Sequence, residues 1–172
     1  MPEAIVTATS PGDYRAFGDV VREYVEFVRS RYADEVDFVD SVFTHQSLDE
    51  ELQVLATAYG PPRGQTLLAV RDGRVSGAVA YRSLPDGTCE MKRLFVPDRF
   101  RGRGTGRALC QALIDSARHA GFSLMRLDTG DRLTEAIAMY QSLGFRSCQP
   151  HHEYPPELMR FMVFMEKPLT NP

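Results

Sequence analysis

The sequence predicts an α/β (α+β) fold built as one domain over residues 1–172, and three features predict it. Two apolar stripes at helical spacing occupy the first third of the chain. Three strand-like runs separated by tight-turn signals fill the middle, and the remainder alternates helix and strand before closing on two strands. At 172 residues with 43% hydrophobic content, the chain is long enough to bury a core without disulfides or metal.

Ala4 to Ala8 (AIVTA) reads as an opening strand ended by Ser10-Pro11-Gly12. Ser10 suits a helix cap, Pro11 suits the first helical position, and Phe17, Val20, Val21, Tyr24, Val25 and Val28 share one stripe. Arg31 to His45 mixes acidic and apolar residues without an assignable period, and is expected to be loop with some helical turns. His45 fits a surface or capping residue better than a substrate contact. Ser47-Leu48-Asp49-Glu50 has the form of a capping box, and Leu48, Leu52, Leu55 and Tyr59 continue it as a second helix into Gly60-Pro61-Pro62.

Strands follow over Thr66 to Val70, Val75 to Tyr81 and Thr88 to Val96, an antiparallel meander joined at Asp72-Gly73 and Pro85-Asp86-Gly87. Leu109, Ala112, Leu113, Ser116, Ala117 and Ala120 make the buried stripe of the next helix, and Gly121 is placed to cap its C-terminus. Phe122 to Asp128 is a strand, the stripe Leu133, Ala136, Ile137, Tyr140 and Leu143 is a helix, and Phe145 to Ser147 and Arg160 to Glu166 are the last strands. The count is six to seven strands with about four helices.

Composition excludes several functions. A net charge of −3 argues against a general nucleic-acid binder, although Arg99, Arg101, Arg103 and Arg107 cluster. Three scattered cysteines without a CxxC pair suit a reducing, cytoplasmic compartment. No basic and apolar leader is present, and no run approaches the ~20 apolar residues of a membrane span, so neither export nor a membrane partner is expected.

The chemistry concentrates in Arg99 to Leu109 (RFRGRGTGRAL), between a strand and a helix. Gly102, Gly104 and Gly106 free the backbone for close approach by a ligand, the helix start offers unpaired N–H groups, and the arginines offer charge-assisted hydrogen bonds. The phosphate-binding P-loop is excluded because its Lys-Ser/Thr pair is missing, and G-x-G-x-x-G because Arg107 and Leu109 stand where glycine is required. What remains, Arg-x-x-Gly-x-Gly over Arg101 to Gly106, resembles the pyrophosphate-binding motif of the GNAT N-acetyltransferase superfamily. A second stretch, Ala136-Ile137-Ala138-Met139-Tyr140 with Gly144-Phe145, resembles that family's A-x-x-x-Y…G-F signature, and the element order is similar throughout.

The resemblance implies a GNAT fold with a single mixed central sheet, and transfer of an acetyl group from acetyl-CoA to a primary amine by direct attack in a ternary complex. It assigns cofactor binding to Leu94, Phe95 and Val96 on a splayed strand edge, and to Arg101, Gly102, Arg103, Gly104, Thr105, Gly106 and Arg107 in the loop. Tyr140 is implied as the acid that protonates the departing thiolate, and Glu90 as the base, directly or through water. Where the family often carries Asn, this chain has Leu133.

The acceptor is expected between the first two helices and the loop Gln149 to Leu158, as a small-molecule amine. Lys92, Arg93, His152, Tyr154 and Arg160 suit a carboxylate on an amino acid, while a peptide amine stays open. His151 and His152 lack a third ligand at a recognisable spacing, so no metal is expected. A non-catalytic acyl-CoA sensor is the competing function, and the sequence leaves a homodimer open.

Overall fold

The computed structural model describes residues 3–170. Strand β1 (Ala4–Thr7) leads into α1 (Pro11–Arg31), α2 (Val36–His45), α3 (Leu48–Gln53) and α4 (Leu55–Tyr59). Strands β2 (Gly64–Arg71), β3 (Arg74–Ser83) and β4 (Thr88–Phe95) form the meander, and α5 (Thr105–His119), β5 (Leu124–Gly130) and α6 (Thr134–Ser142) follow. The chain closes with β6 (Arg146–Ser147), α7 (Pro156–Met159) and β7 (Met162–Pro168). The seven strands form one sheet in the order β1-β2-β3-β4-β5-β7-β6, antiparallel except where β4 runs parallel to β5.

Each face of the sheet carries its own core, because side chains alternate along a strand. Leu68, Ala78, Ala80 and Phe95 face α1, α2 and α4, whereas Leu67, Val79 and Tyr81 face α5. The α1 start is as expected: Ser10 Oγ accepts from the Asp13 amide at 3.1 Å, and Asp13 returns a carboxylate to the Ser10 amide at 2.8 Å. This reciprocal box satisfies donors that a helix otherwise leaves open.

Three expectations need correction. Val36 to His45 is a helix rather than loop, because Phe38, Val39, Val42 and Phe43 fall on one face and bury it, while acidic residues occupy the other. Ser47 does not cap the next helix: it takes φ 54° at the corner after α2, and its side chain makes no cap hydrogen bond. The helix expected to run to Tyr59 is interrupted at Val54 (φ −132°), which separates α3 from α4. A continuous helix would bury the same leucines, so the interruption is not written in their spacing.

The feature that positions the site is the divergence of β4 from β5. Their pairing stops at Glu90 opposite Arg126. Beyond it, β4 bulges against β3, where Ala80 pairs with Lys92 but Ala78 pairs with Phe95, and Arg93 sits at φ +61°. A positive φ is costly for arginine and persists where surroundings over-determine it. Here Glu51 holds Arg93 bidentately at 2.8 and 3.1 Å, and Gln46 accepts from it at 3.0 Å. The bulge re-aims the strand and opens a V between β4 and β5.

Candidate active site

A cavity of about 530 Å³ fills this V and passes through the sheet. On the α5 and α6 side it is walled by Gly102, Gly104, Gly106, Arg107, Met139 and Tyr140, with Leu94, Phe95 and Val96 along the open edge of β4. Nine of the ten residues expected to bind the cofactor line this one cavity. Arg103 is the exception and does not reach it.

The loop geometry explains the glycines. Gly102 and Gly104 take φ +80° and +79°, and a Cβ at either would meet nothing within 4 Å. Backbone conformation demands glycine there, and open space above the loop leaves room for a ligand. Gly104 is the N-cap of α5 and supplies no side chain to cap it, so first-turn N–H groups stay free toward the cavity side. Two side chains act differently from expectation. Arg101 is turned inward, donating to the Val96 carbonyl at 2.8 Å, pairing with Asp98 at 2.7 Å and lying 4.3 Å over the Phe27 ring, so it braces the loop. Thr105 is buried and donates to Glu3 at 2.6 Å.

Tyr140 lies deeper in the cavity, packed edge-on against Phe145 at 5.7 Å. Burial, followed by the neighbouring Cys110, holds its phenol well above the ordinary tyrosine value, so it stays protonated as a donor must. Leu133 also lines the cavity and presents apolar surface where the family often offers an amide.

Below the cavity lies a buried charged floor. Glu90 is completely buried, accepts from Arg82 at 2.7 Å, meets His152 Nε2 at 2.5 Å and has Lys92 at 3.8 Å. Burial pushes its pKa up, but the His152 hydrogen bond and the Lys92 and Arg82 charges outweigh this, leaving it well below the carboxylate range. Glu90 therefore stays ionised, and it lines neither this cavity nor the next. Direct proton abstraction by Glu90, one of the two expected routes, is not what this geometry offers, because no open space touches the carboxylate.

A second cavity of about 180 Å³ is lined by His45, Gln46, Arg82, Lys92, His152 and Tyr154, together with Glu51 and Glu153. Gln46 and Lys92 belong to both cavities and form their common wall. His45 Nε2 meets the Glu153 carbonyl at 2.7 Å, tying α2 to the late loop.

The groups expected to meet a carboxylate are already committed. Arg93 is held by Glu51, and Lys92 lies between Asp128 at 3.5 Å and Glu90. Tyr154 donates to Asp128 at 2.6 Å, and Arg160 points outward toward Glu35 at 3.9 Å. One relation escaped sequence reasoning: Glu90, His151 and His152 each bring a ligand atom within 4.8 Å of one another. Glu90 is sixty-two positions before His152, so no local spacing signals the cluster.

A glycine loop at a helix start, a splayed strand edge and a buried tyrosine in one cavity define an acetyl-CoA-dependent acetyltransferase. The acetyltransferase (GNAT) family model matches residues 26–145, and the chain belongs to that family. It is 38% identical over 128 residues to an uncharacterized N-acetyltransferase of Schizosaccharomyces pombe, covering 72% of this chain and 78% of the relative. It is also 38% identical over 120 residues to a protein named IAA acetyltransferase from Azospirillum brasilense, covering 69% and 74% of the two chains. The crystal structure of PaiA N-acetyltransferase from Thermoplasma acidophilum, in complex with coenzyme A, superposes with a TM-score of 0.73 at 18% identity. That match spans 98% of this chain and 99% of the other. Among the described residues, no helix is long and apolar enough to cross a membrane.

Proposed function

We propose that this chain, acting as one domain, acetylates a primary amine of a small molecule by direct attack within a ternary complex. The observation that supports this best is that the glycine loop, the open β4 edge and Tyr140 all border one continuous cavity. Acetyl-CoA supplies the thioester carbonyl. Free amides at the start of α5 and Arg107 hold its pyrophosphate, and the unpaired edge at Leu94 to Val96 hydrogen-bonds the pantetheine arm.

The attacking nitrogen sits at the wall shared by the two cavities. The ammonium must first lose a proton, and His152 accepts it with Glu90 fixing the imidazole from behind. Glu90 is thus a positioning residue. As the nitrogen bonds to the carbonyl carbon, the carbon–sulfur bond breaks and its electron pair goes to sulfur. Tyr140 then gives its proton to the thiolate.

We read the Glu90, His151 and His152 cluster as this base rather than a metal centre, since Lys92 and Arg82 already neutralise the carboxylate and a divalent ion would add uncompensated charge. The test is thiol release from acetyl-CoA with a panel of amines, alongside calorimetry of acetyl-CoA binding. Amine-dependent release with stoichiometric binding supports an enzyme. Binding without release on any amine points instead to an acyl-CoA sensor.

A further inference from the structure

The part of the large cavity that faces α1 and α2 is made of a different material from the part beside the glycine loop. Tyr24, Tyr32, Phe38, Val39, Val42 and Phe43 project into it from one side, and Met162 of β7 from another. Phe38 packs at a tilt against Phe161 with ring centroids 4.2 Å apart, and Tyr32 lies at 5.0 Å from Phe38, so these walls are braced by further aromatics. Tyr32 keeps its hydroxyl out of the cavity by donating to Asp131 at 2.7 Å and accepting from the Arg132 amide at 2.9 Å.

The charged groups that reach this space are spoken for. Lys92 is matched by Asp128 and Glu90, Asp128 also accepts from Tyr154, Arg93 is matched by Glu51, and Arg31 turns to Glu135 at 2.6 Å. A carboxylate placed here would be desolvated without a free cation to meet it, which disfavours its binding. An aromatic or branched hydrocarbon would instead replace poorly solvated apolar surface with close contact. The same chamber runs unbroken into the cofactor part of the cavity, so what it holds lies next to the acetyl group.

Resting on the acetyltransferase reading above, we propose that the acceptor is an amine with an apolar, preferably aromatic, body: the hydrocarbon fills the chamber under α1 and α2, and the nitrogen reaches the Gln46–Lys92 wall. The amino acid favoured by the sequence is disfavoured by this geometry.

The experiment compares 2-phenylethylamine and aspartate as acceptors for the wild-type enzyme with acetyl-CoA, and repeats 2-phenylethylamine with Val42→Phe, which fills the chamber from α2. The expected result is a kcat/KM for 2-phenylethylamine at least about tenfold above that for aspartate, of the size that one or two well-buried carbons give. Val42→Phe raises the KM for 2-phenylethylamine by about tenfold and leaves acetyl-CoA affinity unchanged. Equal or better turnover of aspartate overturns the proposal while leaving the acetyltransferase intact. Hexanoyl-CoA outperforming acetyl-CoA on small amines also overturns it, since the chamber would then hold the acyl chain. Absence of acetyl-CoA binding removes the acetyltransferase reading itself, and this inference falls with it. The wild-type comparison stands even if Val42→Phe does not fold.

Discussion

The two ends of the large cavity are built by opposite means. Beside α5 the wall is main chain: two glycines at positive φ, an uncapped helix start and a strand edge released by divergence. Beneath α1 and α2 it is side chain, with six aromatic and branched walls over a floor of buried charges. A backbone surface depends on conformations that few sequences permit, so it leaves a short local signature. A side-chain surface can be assembled from any elements that meet, so it leaves none.

The largest expected effect lies where the two ends meet. Tyr140→Phe keeps the ring and its packing on Phe145 and removes only the donor. Turnover should fall by about 10²–10⁴-fold, the ordinary worth of general acid–base catalysis, with the loss in kcat and little change in acetyl-CoA affinity. Wild-type turnover with chemistry rate-limiting would leave Tyr140 as a wall of the cavity and nothing more.

The acceptor floor is tested through His152. His152→Ala should lower kcat by about 10²-fold with little change in acetyl-CoA affinity. Stability gives a readout independent of catalysis. Glu90, Asp128 and Glu51 each have a pKa lowered from the ordinary carboxylate value: burial opposes the shift in all three, and charged and hydrogen-bonding neighbours, led by His152, Lys92 and Arg93 respectively, overcome it. A depressed folded pKa means that the native state binds fewer protons than the unfolded one. The stability it contributes is therefore full above the unfolded carboxylate value, about 4, and is lost as pH falls below it. His152→Ala removes that hydrogen bond and shrinks the shift of Glu90, so the variant should be less stable at pH 7 and lose less between pH 5 and pH 2. Thermal melts across that range check both signs, and an unchanged acid slope would detach His152 from Glu90.

This contrast also sets how much could be read before the fold was known. The meander, the glycine loop, the α5 stripe and the signature around Tyr140 were legible because each is a local pattern of turn residues or period. Helix α2 was not, since Phe38, Val39, Val42 and Phe43 sit among acids that hide the stripe until its buried face is seen. The Glu90–His152 contact joins β4 to the late loop, and the Arg93–Glu51 pair joins a strand bulge to α3. Neither has a sequence spacing to reveal it. Tyr140 shows the limit from the other side: its resemblance marked it and the structure sets it on the cavity wall, but only turnover of Tyr140→Phe distinguishes a donor from a core aromatic.

The smallest expected effect returns to the backbone end. In Gly104→Ala the added methyl group meets no atom within 4 Å, so collision contributes nothing and the whole cost comes from holding alanine at φ +79°. That is worth roughly 1–2 kcal/mol, and for a chain of this size the melting temperature should fall by only about 2–8 °C. Acetyl-CoA affinity should drop by about tenfold, as the methyl group stands in the space over the loop and the strained residue relaxes away from the αL conformation that aims its amide. Acceptor KM should stay where it was, because nothing under α1 and α2 touches Gly104. If calorimetry finds acetyl-CoA affinity unchanged in a folded Gly104→Ala protein, the pyrophosphate does not rest on this backbone, and the division between a main-chain end and a side-chain end fails at its better-marked half.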